Sequence, residues 1–168
     1  MRVAVTGTPG VGKTTAVEAA DLELEVVGLN DLVREAGLHE GADDERGSLV
    51  ADLDAVGERL AGREDLLVES HLAHHLDVDR VAVLRCHPEE LRGRLCDRGE
   101  PATTAEENAE AEALDVVLSA AVEAHGLEAV YEIDTTDRVP AAVAAEIEAV
   151  VAGDREPSAG EVTFVDYL

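Results

Sequence analysis

Nine residues carry the chemistry most plainly: Gly7-Thr8-Pro9-Gly10-Val11-Gly12-Lys13-Thr14-Thr15. They fit GxxxxGK[ST], the pattern of a phosphate-binding loop. Gly7, Gly10 and Gly12 let the backbone curl so that successive N–H groups converge on an anion. A helix opening at Lys13 adds its positive end to the same point. Lys13 would reach the β- and γ-phosphates, and the Thr14 hydroxyl would be offered to Mg²⁺. Lys13 is also the only lysine in 168 residues, against twelve arginines. A compact ammonium fits between phosphate oxygens where a planar guanidinium does not, so the type retained here matters. The loop predicts binding of a nucleoside triphosphate.

Such a loop works only between a strand and a helix. Arg2–Thr6 reads as a short buried strand, and Thr14–Ala20 has the composition of the following helix. Leu24–Leu29 reads as a second strand, with Asn30 or Asp31 capping a helix to about Ala36. Gly37–Gly47 reads as a polar loop, and Leu49, Leu53, Val56 and Leu60 fall at helical spacing. Leu66–Val68, ending at Glu69, and Val81–Leu84 are apolar runs of the kind that form central parallel strands. Pro88 opens a helix to about Arg98. A polar segment and a long helix follow, with Leu114, Val117, Leu118 and Ala121 predicted to face inward. Ala129–Ile133 is the fifth strand, and a last helix buries Val143, Ile147 and Val150. Alternating strands and helices predict an α/β three-layer fold with a five-stranded parallel sheet, and function at the carboxyl ends of its strands. Residues 154–168, entered through Pro, Ser and Gly, either dock on the domain or remain mobile.

The chain carries 38 acidic and 13 basic residues, a net charge of −25, yet 46% of it is apolar. Periodic apolar residues argue for a folded domain of ordinary size. The acidity predicts a carboxylate-covered surface adapted to concentrated salt, where self-repulsion is screened. It disfavours unaided nucleic-acid binding and suits basic protein partners. Aromatics are confined to Tyr131, Phe164 and Tyr167, which provides no stacking platform for single strands. Cys86 and Cys96 form no CxxC pair, and no signal peptide or membrane-length apolar run is visible. A cytoplasmic protein without membrane partners is expected.

Among nucleotide proteins, a Ras-like GTPase needs a second lysine in its guanine-reading element, and this chain has none. A small nucleotide kinase fits better: phosphate loop, acceptor-gripping insertion, and an arginine-bearing lid. The chain resembles the isoenzyme-6 type of adenylate kinase (CINAP-like), particularly its archaeal members, over about residues 2–151. The resemblance rests on the phosphate loop, Asn30-Asp31-Leu32-Val33-Arg34-Glu35, Val68-Glu69-Ser70-His71-Leu72-Ala73-His74, and Val83-Leu84-Arg85. It continues through Leu95-Cys96-Asp97-Arg98-Gly99 and Glu107-Asn108-Ala109-Glu110-Ala111-Glu112. It implies a kinase domain over residues 1–152, an acceptor insertion at about 28–55, a short lid at about 97–108 and a tail at 153–168. It further implies AMP phosphorylation by Mg·ATP, a slower ATPase activity, and a role in maturing the small ribosomal subunit through contact with one of its proteins. A rival reading is an assembly factor whose nucleotide cycle switches binding of a basic ribosomal protein.

Glu69 closes a buried strand on the phosphate side, where a carboxylate can hold Mg²⁺ or orient the attacking group, or simply cap the strand. The family usually has Asp there. His71 matches the motif histidine, as an acid/base or a hydrogen-bonding strut. His74 and His75 read as structural polar groups. Arg34 would grip the AMP phosphate or form a helix-surface pair. Asp52 and Asp54 match an acidic pair of the insertion, or are only solvated. Arg98 is the lid candidate, covering adenine or neutralising the transferred phosphoryl group. Arg85, Arg92 and Arg94 read as salt-bridge formers. Glu100 stands where the family has an aromatic, and Thr104 where a lysine is common, so the lid leans on Arg98.

Overall fold

The computed structural model describes residues 1–43 and 48–168. Five short apolar runs become the strands β1 (Arg2–Thr6), β2 (Glu25–Gly28), β5 (Leu66–Glu69), β6 (Arg80–Arg85) and β7 (Val130–Asp134). All pair in parallel in the order β2-β5-β1-β6-β7, which places β1 at the centre. Alternation along each strand then sorts side chains to two faces. Val3, Val5, Leu67, Ala82 and Leu84 point to one core. Ala4, Leu66, Val68, Val81 and Val83 point to the other.

Helices close both faces. The first core packs under α1 (Lys13–Ala19), α4 (Pro88–Asp97), α5 (Ala102–Ala113) and α7 (Pro140–Ala152). The second packs under α2 (Leu29–Ala36), α3 (Leu53–Leu60) and α6 (Val116–His125). The three-layer α/β fold is the one expected. Local signals start and stop these helices: Pro88 and Pro140 open α4 and α7, and Gly153, at φ 77°, ends α7. Among the described residues no helix is long and apolar enough to cross a membrane.

Three expectations change. First, His39–Asp43, read as loop, is a strand (β3) paired antiparallel with Ser48–Ala51 (β4), and Leu49 belongs to β4 instead of the helical stripe. Residues 44–47 of that predicted loop lie outside the described residues. Second, the long helix after the lid is two helices. Asp115 adopts φ 56° because its carboxylate is drawn to the Arg85 guanidinium, 2.5 Å away, and Leu114 turns outward at 60% exposure. Third, Leu29 opens α2, so Asn30 and Asp31 lie in its first turn and Gly28 occupies the cap.

The tail docks. The Ser158 N–H bonds the Val130 carbonyl, and the N–H groups of Glu161 and Val162 donate to the Glu132 carboxylate at 2.8 and 3.0 Å. Phe164 is buried against His87 and lies over the Arg85 guanidinium. The Tyr167 hydroxyl donates to Glu106 of α5.

Candidate nucleotide-binding site

The loop between β1 and α1 turns under tight backbone constraints. Gly7, at φ 146°, passes so close to β6 that a Cβ would stand 2.6 Å from the Leu84 carbonyl oxygen. Gly10, at φ 95°, lies against Leu91 and Leu95 of α4, where a Cβ would meet carbons at 2.8–2.9 Å. These contacts explain why glycine is needed at those two positions. Lys13 is 8% exposed, and its ammonium donates to the Gly7 and Thr8 carbonyls at 2.8 and 3.2 Å. Burial lowers its pKa to about 8, opposed by Glu69 and Glu112 and reinforced by Arg98.

Glu69 ends β5, in register with Gly28 on one side and Val5 on the other. Its carboxylate accepts the Thr14 hydroxyl at 3.3 Å. Burial raises the Glu69 pKa, while Lys13 and the Thr14 bond pull it back. His71 follows, half-buried. Burial, and then the positive Lys13, lower its pKa, so it is neutral at neutral pH. His74 is buried in structural contacts: its Nδ1 pairs with the Thr6 hydroxyl at 2.8 Å, and its carbonyl with His125 Nε2 at 2.7 Å.

Two adjoining cavities open on the loop. The smaller, about 200 Å³, is walled by the loop with Asn30, Glu69, His71 and Arg98. The larger, about 420 Å³, runs between α1, α4 and the start of α7, with Arg94, Thr135, Arg138 and Val143 in its walls. Gly10, Gly12, Thr15 and Arg98 belong to both. The sequence candidates Gly10, Gly12, Lys13, Thr14, Thr15, Glu69, His71 and Arg98 therefore meet in one cleft. Arg34 and Asp52 are not in its walls: Arg34 is exposed in the last turn of α2, and Asp52 caps α3 by accepting the Ala55 N–H at 3.0 Å. Arg98 is exposed and makes no ion pair with any described residue.

The residues sequence reasoning missed are those of the larger cavity, Thr135 and Arg138, and the supports beneath the loop. The Thr8 hydroxyl donates to Glu112 of α5 at 2.6 Å. Glu112 also accepts from Arg85, whose guanidinium bonds Glu132 and Asp115 as well. Arg94 pairs with Glu90 and reaches Thr135, so it is both the salt-bridge former expected and a cavity wall. Arg92 pairs with Glu106.

Residues 3–115 match a family model described as an AAA domain. A relative from Natronomonas pharaonis is 65% identical over the full length of both chains, and one from Halobacterium salinarum is 62% identical, also over both full lengths. A third, from Methanothermobacter thermautotrophicus, is 47% identical over 99% of this chain and 98% of its own. Each bears the name "putative adenylate kinase". Among solved structures, a shikimate kinase from Bacteroides thetaiotaomicron superposes with TM-score 0.59 at 17% identity, covering 91% of this chain and 98% of that one. A sugar kinase from Janibacter sp. HTCC2649 gives 0.56 at 17% identity, over 90% and 94%. The structural likeness establishes the fold.

Proposed function

The chain belongs to the family of archaeal adenylate-kinase homologues that these relatives define, and on that premise we propose that it transfers the γ-phosphoryl group of ATP to AMP, giving two ADP. The observation that carries this is the pair of cavities joined across the phosphate loop, with Arg98 common to both. The larger has room and apolar wall for the donor nucleoside, from Val143 and Pro140, with Arg94 and Arg138 at its edge. The smaller presents Lys13, Glu69 and His71 to the phosphates being exchanged. In-line transfer then needs positioning and charge neutralisation, and no covalent intermediate on the protein.

Each residue has a task in this scheme. The loop N–H groups cradle the donor phosphates, and Lys13 turns from the Gly7 and Thr8 carbonyls to the β/γ oxygens. Neutral His71 donates or accepts a hydrogen bond beside the transferred group. Arg98 lies at the start of the proposed lid, residues 97–108, and swings over the phosphoryl group on closure. Residues 28–55 form the proposed acceptor insertion, where Arg34 holds the AMP phosphate and Asp52 braces α3. A Mg²⁺ ion fits at Thr14 and Glu69, because a hydroxyl and a carboxylate stand 3.3 Å apart beside the loop and are the hard oxygen donors it takes. Bound there with ATP, the ion supplies positive charge to the β and γ oxygens. The net charge of −25 supports work in concentrated KCl. It also supports the second reading, ATP hydrolysis coupled to a basic partner of the small ribosomal subunit.

The deciding experiment follows ADP from Mg·ATP in concentrated KCl, with and without each nucleoside monophosphate, using Lys13→Ala as the blank. A burst of ADP with AMP alone fixes both reaction and acceptor. Slow hydrolysis indifferent to every monophosphate would refute the kinase and leave the switch.

A further inference from the structure

Glu112 stands where no nucleotide can touch it, yet its carboxylate reaches into the phosphate loop. It lies in the last turns of α5 at 2% exposure. One oxygen, Oε2, accepts the Thr8 hydroxyl at 2.6 Å. The other, Oε1, accepts Arg85 Nε at 2.7 Å and the Cys86 N–H at 3.1 Å. A buried carboxylate must be paired and hydrogen-bonded to be tolerated. Arg85 and the Cys86 N–H already do that for Oε1. The remaining oxygen is directed at a hydroxyl of the loop, and charge-assisted O–H···O⁻ bonds of this length are among the stronger ones.

Thr8 is the right residue to hold. It is 2% exposed, and its carbonyl accepts both the Lys13 ammonium at 3.2 Å and the Val11 N–H at 3.3 Å. Fixing its side chain fixes the peptide that sets the resting place of Lys13 and the first bend of the cradle. Glu112 cannot easily turn away, because its partner Arg85 is itself held by Glu132 Oε1 at 2.6 Å, Asp115 Oδ1 at 2.5 Å and the Glu112 carbonyl at 3.1 Å. Glu132 in turn receives two N–H groups of the docked tail. We propose that Glu112 is a positioning residue for the phosphate loop, holding Thr8 from the helix that follows the proposed lid and thereby setting the affinity of the loop for the triphosphate. This rests on the reading that the loop takes ATP, so its test is a binding measurement independent of turnover.

Thr8→Val keeps the shape and removes the donor; Thr8→Ser keeps the hydroxyl. Calorimetric titration with ATP and, separately, with adenosine is run on each alongside thermal unfolding. The expected result is an ATP dissociation constant raised about tenfold in Thr8→Val, about the effect of losing one charge-assisted hydrogen bond. Thr8→Ser should recover it to within about twofold, and the adenosine constant should not move. Should Thr8→Val fail to fold, Glu112→Gln tests the charge. Its amide oxygen can serve Arg85 and Cys86 while its N–H donates to the Thr8 hydroxyl, a neutral bond in place of the charge-assisted one. The ATP constant should then rise by less than in Thr8→Val, with the adenosine constant again unmoved. A lowered melting temperature with an unchanged ATP constant would make Glu112 structural only and overturn the proposal. Equal weakening of ATP and adenosine would overturn it too. Wild-type protein that binds no ATP at all would remove the underlying reading first.

Discussion

Lys13 makes the loop sensitive to alkaline pH in a way that can be calculated. Burial brings its pKa to about 8 in the free protein. A polyphosphate beside the ammonium favours the charged form and moves the bound-state pKa well above that value. Binding must then take up a proton in proportion to the neutral fraction of the free protein, about 0.5 at pH 8 and about 0.9 at pH 9. The same linkage divides the association constant by 1 + 10^(pH − 8), about 2 at pH 8 and about 11 at pH 9, with almost no effect at pH 6.5. Titrating the protein with ATP in two buffers of different ionisation enthalpy reads the uptake directly. Terminal phosphates, whose second ionisation lies near pH 6, are already fully ionised at pH 9 and do not confuse the count. An uptake below about 0.1 proton at pH 9, with affinity flat from pH 7 to 9, would refute both the burial argument and the placing of Lys13 on the phosphates.

Two further outcomes follow from the same geometry. Arg98→Ala should cut AMP phosphorylation at least tenfold, ~1.4 kcal/mol of transition-state stabilisation; a rate near wild type in a coupled assay would remove Arg98 from the mechanism. His74, buried and neutral, has its pKa lowered to about 4 by burial and by the neighbouring histidines His75, His125 and His71. A histidine depressed on folding contributes stability that is complete above its unfolded value near 6.5 and is lost as pH falls through 4, about 3 kcal/mol across that window. Denaturant unfolding of wild type and His74→Asn between pH 7 and 4 measures the difference; parallel acid limbs would exclude the assignment.

What could be read from the sequence was what local physics dictates. The five strands were legible because each is built around a short apolar run between polar segments, and the three central ones, β5, β1 and β6, are nearly continuous in it. The loop was legible because glycines, a lone lysine and a following helix coincide. The hairpin of β3 and β4 was not, since His39-Glu40-Gly41-Ala42-Asp43 carries no alternation and little β-branching. The break after α5 was invisible because its cause is Arg85, thirty positions away. The tail could not be assigned from composition, because what holds it is the carboxylate of Glu132, buried in the last strand. In the site, Thr135 and Arg138 join the cavity only through the parallel order of β6 and β7.

The arginines show how so acidic a chain distributes its few cations. Where 38 carboxylates face 13 lysines and arginines, any guanidinium is readily captured. Arg85 is saturated by Glu112, Glu132 and Asp115, Arg94 is paired with Glu90, and Arg138 with Glu146. A buried network of this kind adds little net stability over an apolar core, but it is costly to break and therefore fixes geometry. Here it fixes the underside of the phosphate loop, through Glu112 and Thr8. Arg98, at the turn between α4 and α5, has no described acidic partner, and it overhangs both cavities. A cation with no acidic partner among the described residues is free to attract an added anion, and it stands over the cleft beside the phosphate loop. The chain is acidic overall, and within it the loop N–H groups, Lys13 and Arg98 come together around one cleft.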